Sequence, residues 1–173
     1  MREIHTRILW ILWTVILIAS PCAADVTGRS AQDKALLAAH EAFLAGDRMK
    51  LSRHAEKIQG HTLDVYVSYW RLRLRLEEAD PVEVRAFLTR NSGTVLAEQL
   101  RRDWLRVLGR TGQWELFREE HPALVKDDPD VTCYALQERR RREDPSTLIE
   151  VKSFLREKRA LPEGCVPLVI QKL

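Results

Sequence analysis

Beyond residue 30, apolar residues return at every third or fourth position, and Gly, Pro and Asp cut the runs. Leu36, Ala39, Phe43 and Leu44 form a first helical stripe. Gly46-Asp47 breaks it, and Leu51, Ala55 and Ile58 begin a second face. Two helices joined by so short a turn are expected to lie antiparallel, and Gln59-Gly60 ends the second. Leu63, Tyr66, Val67, Trp70 and Leu74 make a third stripe. Arg71 to Leu76 alternates basic and apolar residues as a strand would, but the stretch is short. Arg, Leu and Glu favour helix, and Arg75 can pair with Glu78 one turn on. Asp80-Pro81-Val82-Glu83 reads as a helix start. Asp80 caps, Pro81 sits where no N–H is needed, and Glu83 can close a capping box. Val84, Phe87 and Leu88 then face inward.

Asn91-Ser92-Gly93 ends that element and Thr94 caps the next. Leu96, Leu100, Trp104 and Leu108 line it, and Gly109 is placed to stop it in a left-handed cap. Arg110 to Gln113 is a turn into a short helix with Trp114 and Phe117, followed by Pro122. Asp127 to Asp130 is a loop, with Asp130 the expected cap of a helix bearing Cys133, Leu136 and Gln137. Asp144-Pro145 repeats the Asp-Pro start ahead of Leu148, Val151 and Leu155. Leu161 to Pro167 is a loop holding Cys165. The expected fold is all-α, about eight helices with no strand. Successive pairs of 30–40 residues suggest an α-superhelix or solenoid, although no strict consensus repeat is present. Leu168, Val169, Ile170 and Leu173 resemble one face of an unfinished helix. The expectation is therefore a chain truncated relative to a longer protein.

The N-terminus changes the picture by fixing a compartment. Ile8 to Ala19 is almost wholly apolar, with Arg2 and Arg7 before it and Cys22-Ala23-Ala24 after it, the layout of a secretory signal peptide. At about a dozen residues it is shorter than the roughly 20 that span a bilayer. We expect residues 1–24 to be signal peptide, cut after Ala24, and residues 25–173 to form one helical domain in the periplasm. An uncleaved anchor with Trp10 and Trp13 at the lipid interface is the alternative, and the only route to a membrane association. A lipoprotein role for Cys22 is disfavoured by Pro21. The cut leaves about 150 residues, one ordinary domain. Losing Arg2, Arg7 and Glu3 lowers the net charge from +3 by a single unit. That near balance argues against a nucleic-acid binder, and a monomer is expected. Of three cysteines, Cys133 and Cys165 remain. An even pair in an oxidising compartment reads as a disulfide closing a loop of about 33 residues, with on the order of 3.5–4 kcal/mol of stabilisation. Two buried thiols are the alternative. No His lies near either Cys at ligand spacing, so no metal site is expected.

Candidate chemistry is sparse. Glu77-Glu78, Glu119-Glu120 and Asp127-Asp128 could do glycosidase work, but each lies in a charged setting where solvation is the simpler expectation. His40 and His54 have no ligand partners around them, and the serines sit in no nucleophile elbow. Arg139-Arg140-Arg141-Arg142 is the densest basic run. It could bind phosphate, headgroups or acidic peptide stems, but on a helix its members point in four directions and suit a solvated C-terminus. Arg71 and Arg75 share one helical face and could line a groove for an anionic glycan strand. Tyr69, Trp70, Trp104 and Trp114 could stack on sugars but fall on the apolar stripes, which favours core packing.

Taken in order, these elements resemble the N-terminal region of the soluble lytic transglycosylase family over approximately Ala31 to Leu173. The likeness rests on the early pair with its Gly46-Asp47 turn and on Tyr66, Tyr69, Trp70 and Arg71. It continues through Phe87-Leu88 before Asn91, then Leu100, Arg101, Trp104 and Leu105. Gly112-Gln113-Trp114 before Leu116-Phe117, Cys133-Tyr134-Ala135-Leu136 and Pro162-Glu163-Gly164-Cys165 complete it. The resemblance implies a superhelical domain supporting a lysozyme-like domain that acts on peptidoglycan. That domain cleaves the β-1,4 bond between N-acetylmuramic acid and N-acetylglucosamine, leaving a 1,6-anhydro sugar and using one Glu, with no metal or cofactor. The family's catalytic Glu precedes Ser. This chain has no Glu-Ser and no lysozyme-like segment, so no catalytic residue is carried over and the chain is expected to be inactive alone. Cys133 and Cys165 match the family's disulfide pair. A stand-alone periplasmic helical adaptor for a protein partner is the alternative.

Overall fold

The computed structural model describes residues 23–156 and 160–170, with side chains from residue 31 onward. The apolar run Ile8 to Ala19, with Arg2, Arg7, Trp10, Trp13 and Cys22, lies outside the described residues, as does Leu173. Among the described residues there are nine α-helices, two short 3₁₀ turns and no strand. The all-α expectation therefore holds. The chain divides into two compact units, between Asp64 and Val65.

The first unit holds α1 (Ala23–Leu44) and α2 (Arg48–Ala55), which pack on each other. Gly46 adopts φ 68, and the amides of Gly46 and Asp47 return to the carbonyls of Phe43 and Ala42, satisfying the end of α1. Asp47 then starts α2 by accepting from Lys50 N at 2.9 Å, a bond that lowers its carboxyl pKa. His61 Nε2 lies 3.1 Å from Asp33 Oδ1. Asp33 is about 17 Å of helix from Leu44, so the chain after the turn runs back along α1, as expected of an antiparallel pair. The buried face of α1 agrees with expectation at Ala39 and differs elsewhere. It is Ala35, Ala39 and Ala42, while Leu44 is exposed and Leu36 and Phe43 are half-buried. Small residues let two helices approach closely, and Leu51 and Ile58 fill the seam at 1% exposure each.

The second unit contains α3 (Asp64–Leu74), α4 (Pro81–Arg90), α5 (Val95–Thr111), α6 (Trp114–Glu120), a 3₁₀ turn (His121–Ala123), α7 (Pro129–Arg141), α8 (Thr147–Arg156), a second turn (Glu163–Cys165) and α9 (Val166–Ile170). The Arg71–Leu76 alternation is helical through Leu74, as propensity predicted. Tyr69 Oη donates to Gln99 Oε1 at 3.3 Å, and Arg73 Nε meets Asp103 Oδ2 at 2.8 Å, tying α3 to α5. Arg75 bonds to Glu83, which is not where the capping-box expectation placed that carboxylate. Asp80 alone caps α4, accepting from Val82 N at 2.8 Å.

α5 is the main core helix, burying Ala97, Leu100, Trp104, Leu105, Val107, Leu108 and Gly109. It does not stop at Gly109. Gly112, at φ 71, is the left-handed cap, with Gln113 N on Leu108 O at 2.9 Å. Gly109 serves packing instead. A Cβ there would stand 2.2 Å from Tyr134 Cγ on α7. The start of α7 also differs from expectation. Asp128 caps it, with Pro129 in the first turn, whereas Asp130 lies inside the helix. α8 begins at Thr147, two residues past Pro145, because Asp144 closes a local turn on Ser146 N at 3.0 Å.

α7 packs against α5, α6, α8, α9 and the second 3₁₀ turn. Cys133 and Cys165 are joined at a Cα–Cα distance of 4.9 Å, both fully buried. Leu136, Val151 and Leu168 surround them, with Phe154 and Leu155 alongside. Gly164 N donates to Asp130 Oδ1 at 3.2 Å, and Gln137 Nε2 donates to Gly164 O at 2.6 Å, so polar bonds fix the same segment.

Candidate functional site

Of the three acidic pairs expected to be solvated, Glu77, Glu78, Glu119 and Asp127 are exposed, whereas Glu120 and Asp128 are built into the frame. Asp128 is 6% exposed. Its carboxylate accepts from Arg106 Nε and Nη2 at 3.1 and 2.6 Å and from the amides of Asp130 and Val131. A buried carboxylate needs such partners. Glu120 holds two helices at once, accepting from Arg85 Nε of α4 at 2.7 Å and Arg101 Nη1 of α5 at 2.6 Å. Glu119 takes Arg85 Nη2 at 2.5 Å, and Glu77 bonds to Arg110. A glycosidic acid must hold its proton near neutrality, which requires a raised pKa. Among the described residues, the carboxylates displaced from their ordinary range move the other way. Asp144 is pulled down to about 2 by Ser146 and Arg139. Glu150 is lowered by Arg139, and Asp47 by the Lys50 amide.

The four-arginine run divides. Arg139 braces the α7–α8 junction, bonding Asp144 at 2.9 Å, Glu150 at 2.6 Å and Ser146 at 2.7 Å, contacts that raise its pKa further. Arg140 Nη1 lies 3.5 Å from Leu168 O. Arg141 and Arg142 instead turn toward α6. Together with Trp114, Leu116, Arg118 and Glu138 they line an open groove of about 570 Å³. The Arg141 guanidinium stands 5.6 Å from the Trp114 ring centroid. Trp114 meets Phe117 edge-on at 6.2 Å, and Phe117 stacks on His121 at 5.3 Å, so an aromatic column fixes the indole. Burial lowers the His121 pKa. Glu138, 7% exposed, places Oε1 at 3.4 Å from Arg118 Nη1 and 3.6 Å from Arg142 Nη1.

The sequence singles out the arginine run with Glu138 beside it, but gives no sign of Arg118 as a neighbour and places Trp114 in the core. Trp70, Trp104 and Tyr69 are buried as expected, whereas Trp114 is half-buried at the groove. The connection of residues 121–128, with its 3₁₀ turn, brings the end of α7 back beside the start of α6. Arg71 is exposed on α3. Arg75 lies just beyond that helix with its guanidinium on Glu83. A second groove, of about 500 Å³, lies beside Leu88, Val95 and Val125. There the Glu98 carboxylate accepts from the amides of Val125 and Lys126 at 3.0 and 2.8 Å. Among the described residues no cluster of His, Cys, Asp and Glu could hold a metal ion, and no helix is long and apolar enough to cross a membrane.

No family model, curated protein or solved structure matches this chain.

Proposed function

We propose that this chain is the non-catalytic, superhelical N-terminal part of an exported lytic transglycosylase, contributing scaffold and glycan contacts to an enzyme that cleaves peptidoglycan. The observation that carries the reading is the use made of its acids. Glu120 and Asp128 hold helices together through arginine pairs, and among the described residues the carboxylates with shifted pKa values, Asp47, Asp144 and Glu150, are all lowered, which suits a frame better than an acid catalyst. Arg71 and Arg75 remain the proposed glycan contacts, Arg71 exposed and Arg75 partly so. Co-sedimentation of the chain with murein sacculi tests the proposal. Binding that is lost on charge reversal at both arginines supports it. Unchanged binding removes those two residues, and no binding removes the glycan role. A second reading, the adaptor for a protein partner, is favoured by the first unit. Leu37, Leu44 and Met49 are 64%, 70% and 73% exposed there, and Leu37 and Leu44 lie two turns apart on one face of α1.

A further inference from the structure

The groove between α6 and the last turn of α7 uses none of the residues on which that proposal rests. We infer that it is a binding site for a small ligand bearing a carboxylate, with Trp114 as its apolar wall and Arg118 and Arg142 as its donors.

The arginines of this protein are used in two ways. Arg139, three residues before Arg142, shows what a structural arginine looks like in this protein, with bonds of 2.6–2.9 Å to two carboxylates. Arg118 and Arg142 differ. They come from two helices, are 52% and 61% exposed, and share one oxygen of Glu138 at 3.4 and 3.6 Å, beyond good hydrogen-bond length. Each guanidinium presents a planar fork of donors that one distant oxygen leaves largely unused, and that fork matches a carboxylate edge.

Charge and shape narrow the ligand. Arg118, Arg141 and Arg142 against Glu115 and Glu138 leave a single positive charge along the lining. That suits a monoanion better than a phosphate dianion. The cavity, about 570 Å³, falls in the range of small-ligand clefts. Trp114, held from one side by Arg141 and from another by Phe117, offers an ordered indole without further loss of side-chain freedom. The shared chemistry is a carboxylate on a compact body, which a peptide C-terminus or an acidic sugar could supply.

The test follows the indole N–H resonance of Trp114 in the full chain, assigned by its loss in Trp114→Phe. N-acetyl-alanyl-leucine, its C-terminal amide, glucuronate and inorganic phosphate are titrated separately. We expect saturable shifts with at least one of the two carboxylates, and binding of the amide about tenfold or more weaker than its acid if the peptide is the source. Glucuronate saturating alone identifies an acidic sugar, and the peptide acid alone identifies a chain terminus. Arg118→Gln with Arg142→Gln should weaken the binding carboxylate about tenfold. Both side chains are more than half exposed, so helicity by circular dichroism should be kept. Arg118→Lys with Arg142→Lys, which keeps charge but not the fork, should fall between. The inference is overturned if neither carboxylate saturates, if the peptide acid saturates and its amide binds equally well, if phosphate binds more tightly than both acids, or if the glutamine variant binds as the parent does. None of these outcomes depends on sacculus binding, so this site and the murein reading fail separately.

Discussion

Replacing Gly109 with Ala separates two forces that act in opposite directions on one residue. In the last turn of α5 the substitution should help, because Ala exceeds Gly in helix propensity by up to about 1 kcal/mol. Packing opposes it. The new Cβ would lie 2.2 Å from Tyr134 Cγ and 2.6 Å from both Cδ atoms. These are the root of a ring 7% exposed and not the tip of a flexible chain, so α5 and α7 must separate or the ring must leave its rotamer. Overpacking of this kind costs typically 1–3 kcal/mol, and three ring atoms inside contact distance argue for the upper end. The expected net loss is about 2 kcal/mol. Urea unfolding followed by far-ultraviolet circular dichroism reads it as a midpoint lowered by about 1 M. The decisive comparison is the same change in a Tyr134→Ala background, where the obstacle is gone. There Gly109→Ala should stabilise by up to about 1 kcal/mol, reversing its sign. A single Gly109→Ala variant as stable as the parent would refute the packing argument and return Gly109 to the role of an ordinary helix residue.

Other perturbations probe separate parts of the second unit. Reduction of the Cys133–Cys165 bond, 32 residues apart in sequence, should cost on the order of 3–4 kcal/mol, seen as a fall in thermal midpoint with reductant that Cys133→Ala/Cys165→Ala does not show. Asp128→Ala removes both the cap of α7 and the acceptor of two hydrogen bonds from Arg106. Arg106 is 40% exposed and can be rehydrated, so we expect about 2–3 kcal/mol in chemical unfolding. Burial lowers the His121 pKa from its ordinary value of 6.5, against the opposing pull of Asp127 and Glu138. The unfolded state therefore binds its proton first, so stability should decline as pH falls below about 6.5. His121→Asn should flatten that slope in a pH series of melts.

Caps with one candidate residue were legible in the sequence. Asp80 before Pro81, Thr94 three residues before Ala97 and the Gly46-Asp47 stop and start all stand where their chemistry placed them. Errors arose where two equivalent residues competed. Gly109 and Gly112 can each end a helix, and only the seat of Tyr134 distinguishes them. Asp128 and Asp130 can each cap, although Pro129 favours Asp128 because a first-turn proline needs no N–H. The same Asp-Pro pair at Asp144-Pro145 made a turn instead, with Arg139 and Ser146 drawing the carboxylate away. The alanine face of α1 was hidden because larger neighbours at Leu36 and Phe43 satisfied the same period. The groove could not be read at all. Arg118 and Arg142 are far apart in sequence, and only the packing of α6 on α7 brings them to one carboxylate.

Mass analysis of the soluble fraction after incubating murein sacculi with the chain tests the central claim most directly. The account predicts that no 1,6-anhydro muropeptides are released. Their appearance in proportion to added protein, abolished by exchanging one carboxylate of the chain for its amide, would contradict it.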